Sequence, residues 1–326
     1  MSRRLLAPVI AALAAAGCGY VGEPLPPALN IPQRLADVTV TQVGARIVVR
    51  YSPPQLSTDG LNLKNSGRAE LAIGPAPVPF QADVWAAQAK TQGAFKVDGG
   101  MASAELPVAD WVGQEVVAAV RLYSAKGRHA GWSNFVTLAV VPPLESPRNV
   151  LAEAVPTGVR IAWQAPAGRF RVWRRGEKQT NAVLLGETAG GEYLDPTAEF
   201  GHTYRYSVEA VRSEGNVRAA SERTAEVEIF PEDRFPPSAP AGVTAIASTG
   251  SIELAWEQNS EPDLAGYRVY RAEGTGEFAR IGEIRTAPNY SDRPVRSGVR
   301  YRYAVSSVDK AGNESAQSQT VELVAP

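Results

Sequence analysis

The chain has 326 residues, a formal net charge of −1, 44% hydrophobic residues and one cysteine. That length suggests two or three domains, and the composition is ordinary for a chain that buries a core. The near-zero charge and the lack of any long run of one sign exclude a nucleic-acid binder, which needs a basic stripe to neutralise phosphates. A lone cysteine excludes an intramolecular disulfide, and with it the disulfide-bridged immunoglobulin domains.

At the N-terminus, residues 1–17 read as an export signal. Arg3 and Arg4 form a positive region, and Leu5 to Ala16 form a short apolar one. That stretch falls short of the about 20 residues a membrane-spanning helix needs. It ends Ala15-Ala16-Gly17-Cys18, which resembles a bacterial lipobox, although Ala15 stands where the pattern prefers Leu. The resemblance implies that Cys18 is acylated on sulfur and on its new amine, so that the mature protein is held at a membrane by its lipid. Several acyl chains anchor stably where one does not, at ~0.8 kcal/mol per buried methylene. Gly19 is not the Asp of an inner-membrane retention signal, so the outer membrane is favoured. Residues 18–31 are rich in Gly and Pro and read as an extended tether, ~40 Å long at ~3.1 Å per residue.

Residues 32–142 show short alternating segments. Arg46-Ile47-Val48-Val49-Arg50-Tyr51 is one, and Val116-Val117-Ala118-Ala119-Val120 is another. Three tryptophans here, Trp85, Trp111 and Trp132, exceed what one sandwich core usually takes. Either one is exposed for binding or the core absorbs them.

Beyond residue 142 the chain repeats itself at an interval of roughly 95 residues. Val159-Arg160-Ile161-Ala162-Trp163 matches Ile252-Glu253-Leu254-Ala255-Trp256. Phe170-Arg171-Val172-Trp173-Arg174 matches Tyr267-Arg268-Val269-Tyr270-Arg271. Tyr204-Arg205-Tyr206-Ser207-Val208 matches Tyr301-Arg302-Tyr303-Ala304-Val305. Period-two alternation between Gly/Asn turns predicts short antiparallel strands, hence an all-β fold of tandem sandwiches with almost no helix after the signal. Pro-rich stretches at Val141-Pro142-Pro143 and Phe235-Pro236-Pro237-Ser238-Ala239-Pro240 read as linkers, giving units at 32–142, 143–231 and 235–326.

The order of Pro, a strand ending in Trp, Tyr-x-Val, and Tyr-x-Tyr-x-Val resembles fibronectin type III modules. On that resemblance Trp163 and Trp256 are buried core residues, and Tyr204 and Tyr301 are the tyrosines of the corner motif. The first unit departs from it, with Tyr51 for the tryptophan and Val116 for the corner tyrosine. It reads as a divergent module of the same kind.

Chemistry is scarce. His129 and His202 fall in different units, and His202 sits in a turn where the next repeat has Val299-Arg300. No metal-protease, nucleophile-elbow or P-loop motif is present. The carboxylates are scattered over turns, for example Glu261 and Asp263, and Asp309 and Glu314; one or two to a loop is weak ground for calcium ligation, and no metal site and no cofactor are expected. The expectation is a protein that is not an enzyme. The candidate binding surface is the outward face of the second unit, with Arg171, Trp173 and Arg205, extended by Tyr270 of the third. Strand alternation turns Trp173 outward if Val172 is inward, and Arg205 of the neighbouring strand is expected over its ring. Such a face stacks a sugar or clamps a peptide; otherwise it is a cation–π ladder that shields the sheet. The resulting expectation is a lipid-anchored, non-catalytic interaction or scaffold protein of the cell envelope, with an envelope protein or glycan as partner. The alternative is an accessory carbohydrate-binding lipoprotein serving a separate polysaccharide-degrading enzyme.

Overall fold

The computed structural model describes residues 29–64 and 67–326. The signal, Cys18 and most of the tether lie outside the described residues. The chain divides into two compact units, one ending at Val141 and one running from Pro142 to Pro326.

The first unit contains β1 (Thr39–Val43), β2 (Arg46–Tyr51), β3 (Ala69–Pro75), α1 (Ala82–Gln88), β4 (Lys90–Gln92), β5 (Lys96–Asp98), β6 (Met101–Pro107), β7 (Glu115–Leu122) and β8 (Val136–Ala139). The order β1-β2-β6-β5 makes one antiparallel sheet, and β4-β3-β7-β8 makes the other. Alternate residues meet between the sheets, among them Val40, Ile47, Val49, Leu71, Ile73 and Val120. Tyr51 is buried here, edge-on to Phe95 at 5.1 Å, and burial pushes its hydroxyl pKa up to about 12.

In the second unit the next sandwich comprises β9 (Arg148–Val155), β10 (Gly158–Gln164), β11 (Arg169–Gly176), β12 (Val183–Thr188), β13 (Glu192–Asp195), β14 (Tyr204–Glu214), β15 (Val217–Ala220) and β16 (Val227–Ile229). Strands β9-β10-β13 face a sheet of β12-β11-β14, with β15 and β16 both paired to β14. The β14–β15 hairpin turns through Gly215-Asn216, with Gly215 at φ 52°, as a tight two-residue turn requires. The last sandwich comprises β17 (Thr244–Ser248), β18 (Ser251–Ala255), β19 (Leu264–Glu273), β20 (Ala279–Arg285), β21 (Asn289–Asp292), β22 (Arg300–Asp309) and β23 (Val321–Val324). Its sheets are β17-β18-β21 and β20-β19-β22-β23. Trp163 and Trp256 are 6% and 7% exposed, each edge-on to a core ring, Phe170 and Tyr267.

The segment that reads as a linker meets the second sandwich through the ring of Phe235 and is hydrogen-bonded to the third through Ser238, just after the second sandwich's own last bond. Pro231 accepts the Gly201 N–H at 2.8 Å, and Phe200 meets Phe235 at 6.0 Å. The Ser238 carbonyl accepts from Ser307 Oγ at 2.6 Å and Asn259 Nδ2 at 2.8 Å. The second and third sandwiches thus share one compact unit.

The fold is nearly all strand, as the alternation predicts, with one short helix. Helix α1 lies between β3 and β4 and covers the outer side of β3 and β7. Trp85, 2% exposed, packs there on Ala72, Val117 and Ala119. The small residues of β7 at alternate positions make room for it. This second apolar layer takes up Trp85 and half-buried Trp132, while Trp111 joins the main core. The surplus of tryptophan in this unit therefore serves two cores.

Candidate functional site

The outward face of β11 and β14 is built as alternation dictates, with Val172 buried opposite Val208 and Trp173 opposite Ser207. Trp173 is half-buried. Its indole N–H donates to Glu209 at 3.1 Å, and the guanidinium over its ring, at 3.7 Å, belongs to Arg223. The expected partner Arg205 is instead paired with Glu228 of β16, directly opposite it in register. The reason is reach: Arg205 stands opposite Arg175, two positions beyond Trp173 along β11, whereas Arg223 follows β15. Arg171 pairs with Glu187 at 2.7 Å, and two arginines hold that carboxyl below its ordinary pKa, Arg171 foremost. Tyr270 occupies the matching place on β19 and donates to Glu314, which also binds Arg268 and Ser306. Burial pushes the Glu314 carboxyl up, but the hydrogen bonds from Ser306, Tyr270 and Arg268 outweigh it and the pKa falls. Both faces are thus aromatic–carboxylate–arginine clusters closed on themselves.

The polar groups that matter most to the sandwiches are ones alternation alone conceals. Asp195, 1% exposed, accepts from Tyr206 Oη and Arg174 Nη1, both at 2.8 Å, and from Thr197 Oγ1 at 2.7 Å. Asp292 repeats this with Tyr303 at 2.6 Å and Arg271 at 3.0 Å. Burial disfavours the Asp195 charge, and the donors from Thr197, Tyr206 and Arg174 more than restore it, leaving the pKa below the usual carboxylate range. Burial, and after it the same bond, drives the Tyr206 hydroxyl upward. The corner tyrosines also close: Tyr204 Oη accepts the Glu199 N–H and Tyr301 Oη the Arg296 N–H, each at 3.1 Å. The sequence signal for the triad was present. Asp195 and Asp292, Arg174 and Arg271, and Tyr206 and Tyr303 all recur at the repeat interval.

A serine clip unites all three sandwiches, including the divergent one. Ser133, Ser221 and Ser315 each exchange backbone hydrogen bonds and a hydroxyl acceptor with the strand before them. Ser133 does so at Val120, Ser221 at Ala210 and Ser315 at Ser307, at 2.8–3.0 Å.

In the first unit the outer side of β3 and β7 carries a row of stacked charge and ring. Glu70 accepts from Arg121 at 2.9 Å and from Tyr123 at 2.6 Å, while Arg121 lies 4.1 Å from the Trp132 ring. His129 packs edge-on to Tyr123, and His202 lies 3.5 Å from Glu199 in an exposed turn. Neither histidine adjoins a nucleophile among the described residues. Three carboxylates from separate segments, Asp233, Asp263 and Asp309, come within 4.8 Å of one another beside the 231–240 segment. They have the hard-oxygen chemistry a divalent cation takes. Asp309 is already engaged at both oxygens by Asn313, at 2.8 Å each.

Among known proteins, the chain is 28% identical over 187 residues to exoglucanase B of Cellulomonas fimi, covering 53% of this chain and 16% of that protein. It is 36% identical over 89 residues to an amylopullulanase of Thermoanaerobacterium saccharolyticum, covering 27% and 7%. It is 30% identical over 146 residues to endoglucanase B of Cellulomonas fimi, covering 44% and 14%. The chain thus spans only a small part of these relatives. No protein-family model matches it. Among solved structures, the FN1–FN3 domains of chicken CNTN1 align over 90% of this chain and 99% of that one, at 14% identity and a TM-score of 0.30. A two-domain fibronectin type III segment of chicken tenascin aligns over 56% and 100%, at 16% identity and 0.36. The architecture described above is that of tandem all-β sandwiches, each of facing antiparallel sheets.

Proposed function

We propose that the chain is a non-catalytic, lipid-anchored module of the bacterial cell envelope that holds or spaces a partner. The observation that supports this most is the closure of the outward faces. Arg171, Trp173, Arg205 and Tyr270 are each bound within the fold, and the 231–240 segment is pinned to both sandwiches of its unit. A catalyst needs side chains held apart for a substrate and a base beside a nucleophile. Here the buried carboxylates Asp195 and Asp292 are each taken up by a tyrosine and an arginine of the fold.

The anchor rests on Cys18, which follows Ala15-Ala16-Gly17. Fractionation of wild type and Cys18→Ser, with mass spectrometry of the N-terminal peptide, tests it. Wild type should sediment with membranes and carry acyl chains on Cys18, and the variant should be released. A mature wild-type N-terminus elsewhere, or one free of lipid, refutes the anchor.

A second reading is favoured by the comparisons: the similar stretches lie in an exoglucanase, an endoglucanase and amylopullulanases. On this reading the chain contacts polysaccharide on behalf of a separate enzyme. Co-sedimentation of the full chain with insoluble cellulose and starch tests it, and a chain that stays in solution with both refutes it.

A further inference from the structure

The second sandwich is open along one flank. There β12, the edge of one sheet, faces β13, the edge of the other, and the groove between them encloses about 680 Å³. Binding clefts for small ligands run ~300–1,000 Å³. Its floor is the ring of Tyr193, whose hydroxyl donates to the Leu185 carbonyl at 3.1 Å and so fixes the ring between the two edges. Gly186 leaves room for that ring, since a Cβ there would sit 2.9 Å from the Tyr193 hydroxyl. Leu194, 44% exposed, adds an apolar surface beside it.

The rim is polar and fixed. Arg160 lies 2.7 Å from Glu153 and 3.9 Å from Glu192. Glu187 is held by Arg171 and Arg169. The Thr188 side chain completes the lining. Each charge has a counter-charge beside it, so the groove offers acceptors and donors at set positions with little net charge. The lining sets two carboxylates, Glu187 and Glu192, against one guanidinium, Arg160, so an anion is disfavoured, while a cation competes with the arginines already beside those carboxylates. A polyol uses both kinds of group at once, while its C–H faces need a ring and an aliphatic side chain to lie on.

The third sandwich has the same tyrosine and glycine frame with a different arm beside it. Tyr290 Oη donates to the Ile281 carbonyl at 2.9 Å, and Gly282 lies under its ring. There, however, Arg293 reaches across to Glu253 at 3.2 Å and to Ser291 Oγ at 3.0 Å. The repeat puts Pro196, Arg160 and Leu194 where the third sandwich has Arg293, Glu253 and Ser291. In the second sandwich the arginine arm is replaced by a proline, and the polar serine by an exposed leucine.

We propose that the β12–β13 flank of the second sandwich is a binding groove for a short stretch of a neutral oligosaccharide. This rests on the reading that the chain contacts carbohydrate, and it assigns that contact to one place. The test is calorimetric titration of the full chain with cellohexaose and with maltohexaose, with hexagalacturonate as the acidic comparator. Binding of at least one neutral hexasaccharide is expected, with Kd on the order of 1 mM. Arg160→Glu combined with Pro196→Arg and Glu153→Ile transplants the third sandwich's Arg293–Glu253 pair together with Ile246, which lies opposite Glu253, and should weaken binding about tenfold or more, with circular dichroism checking that the sandwich stays folded. Glu192→Gln, an exposed and nearly isosteric change, should weaken it severalfold. Absence of heat with both neutral ligands overturns the groove. So does undiminished binding by both variants, or equal binding of hexagalacturonate. Undiminished binding by the variants, with co-sedimentation on polysaccharide retained, removes the groove but leaves the carbohydrate reading standing.

Discussion

The first sandwich and the two that follow build the same pair of facing sheets with different interiors. In the second and third, a tryptophan at the end of one strand and a buried Asp–Tyr–Arg triad bridge the two sheets. In the first, Tyr51 and Trp111 fill the main core, Val116 stands without a hydroxyl at the corner, and a second apolar layer under α1 stiffens the outside. What the three share is the order of strands and the serine clip. The difference shows that alternation and strand pairing define this fold, while the filling is exchangeable as long as it is packed and its polar groups are satisfied.

The largest break in that comparison should come from the tryptophans of the repeat. Trp163→Ala and Trp256→Ala each remove a ring packed edge-on against another, and a cost of about 3–5 kcal/mol is expected. Chemical denaturation of the full chain checks this, and a loss below about 1 kcal/mol at either site would mean that the residue is not structural. In the first unit, Trp85→Ala should cost about 3 kcal/mol, at the lower end of the same range. The loss should be local: hydrogen exchange should rise over α1 and the outer side of β3, while the main core amides stay protected. Uniform loss of protection would show that the two apolar layers are one.

Next in size is the triad. Asp195→Asn leaves Arg174 and Tyr206 without a carboxylate, and about 2–3 kcal/mol should be lost at neutral pH. The native pKa of Asp195 lies below the unfolded value of about 3.9, so its contribution is complete above that pH and is lost as pH falls through the native value. Wild type should therefore lose more stability than Asp195→Asn as acidity increases from about pH 5 to about pH 2. Parallel acid slopes for the two would show that the carboxylate is not what the triad depends on.

These residues also mark how far the sequence could be read. The repeat and the period-two pattern locate the buried tryptophans, because a strand with one wet face leaves no other place for them. The direction of Trp173 was legible in the same way. Its partner was not. Alternation says which way a side chain points, but Arg205 lies on the neighbouring strand and Arg223 in the segment after β15, and only the register of β14 and the course of that segment decide which lies over the ring. Arg174 was hidden because an inward arginine looks like a break in the pattern until the buried Asp195 that receives it is known. Helix α1 was hidden because it is only seven residues long and contains one buried residue, too little to show a period. Asp233, Asp263 and Asp309 come from three separate stretches of chain with too few carboxylates each to stand out, and only the fold sums them.

The smallest expected effect sharpens the comparison most, because it separates a closed outward face from an open one. Trp173 is half-buried, donates one hydrogen bond to Glu209 and lies beneath Arg223. The cation–π contact contributes ~0.5–1 kcal/mol at an exposed site and the hydrogen bond about 1 kcal/mol, so Trp173→Ala should cost about 1–2 kcal/mol. That is well below Trp163, its neighbour in the same sandwich. Tyr270→Phe in the third sandwich removes only the hydroxyl that Glu314 accepts, leaving the carboxylate its bonds from Arg268 and Ser306, and about 1 kcal/mol should be lost. Both variants should then be assayed for partner capture from solubilised envelope. A face closed on itself predicts reduced melting with unchanged capture. Unchanged melting with lost capture would mean that Arg223 and Glu209 swing away from Trp173 when a partner arrives. The recognition surface would then lie on β11 and β14, with the rings rather than the flank groove making the contact.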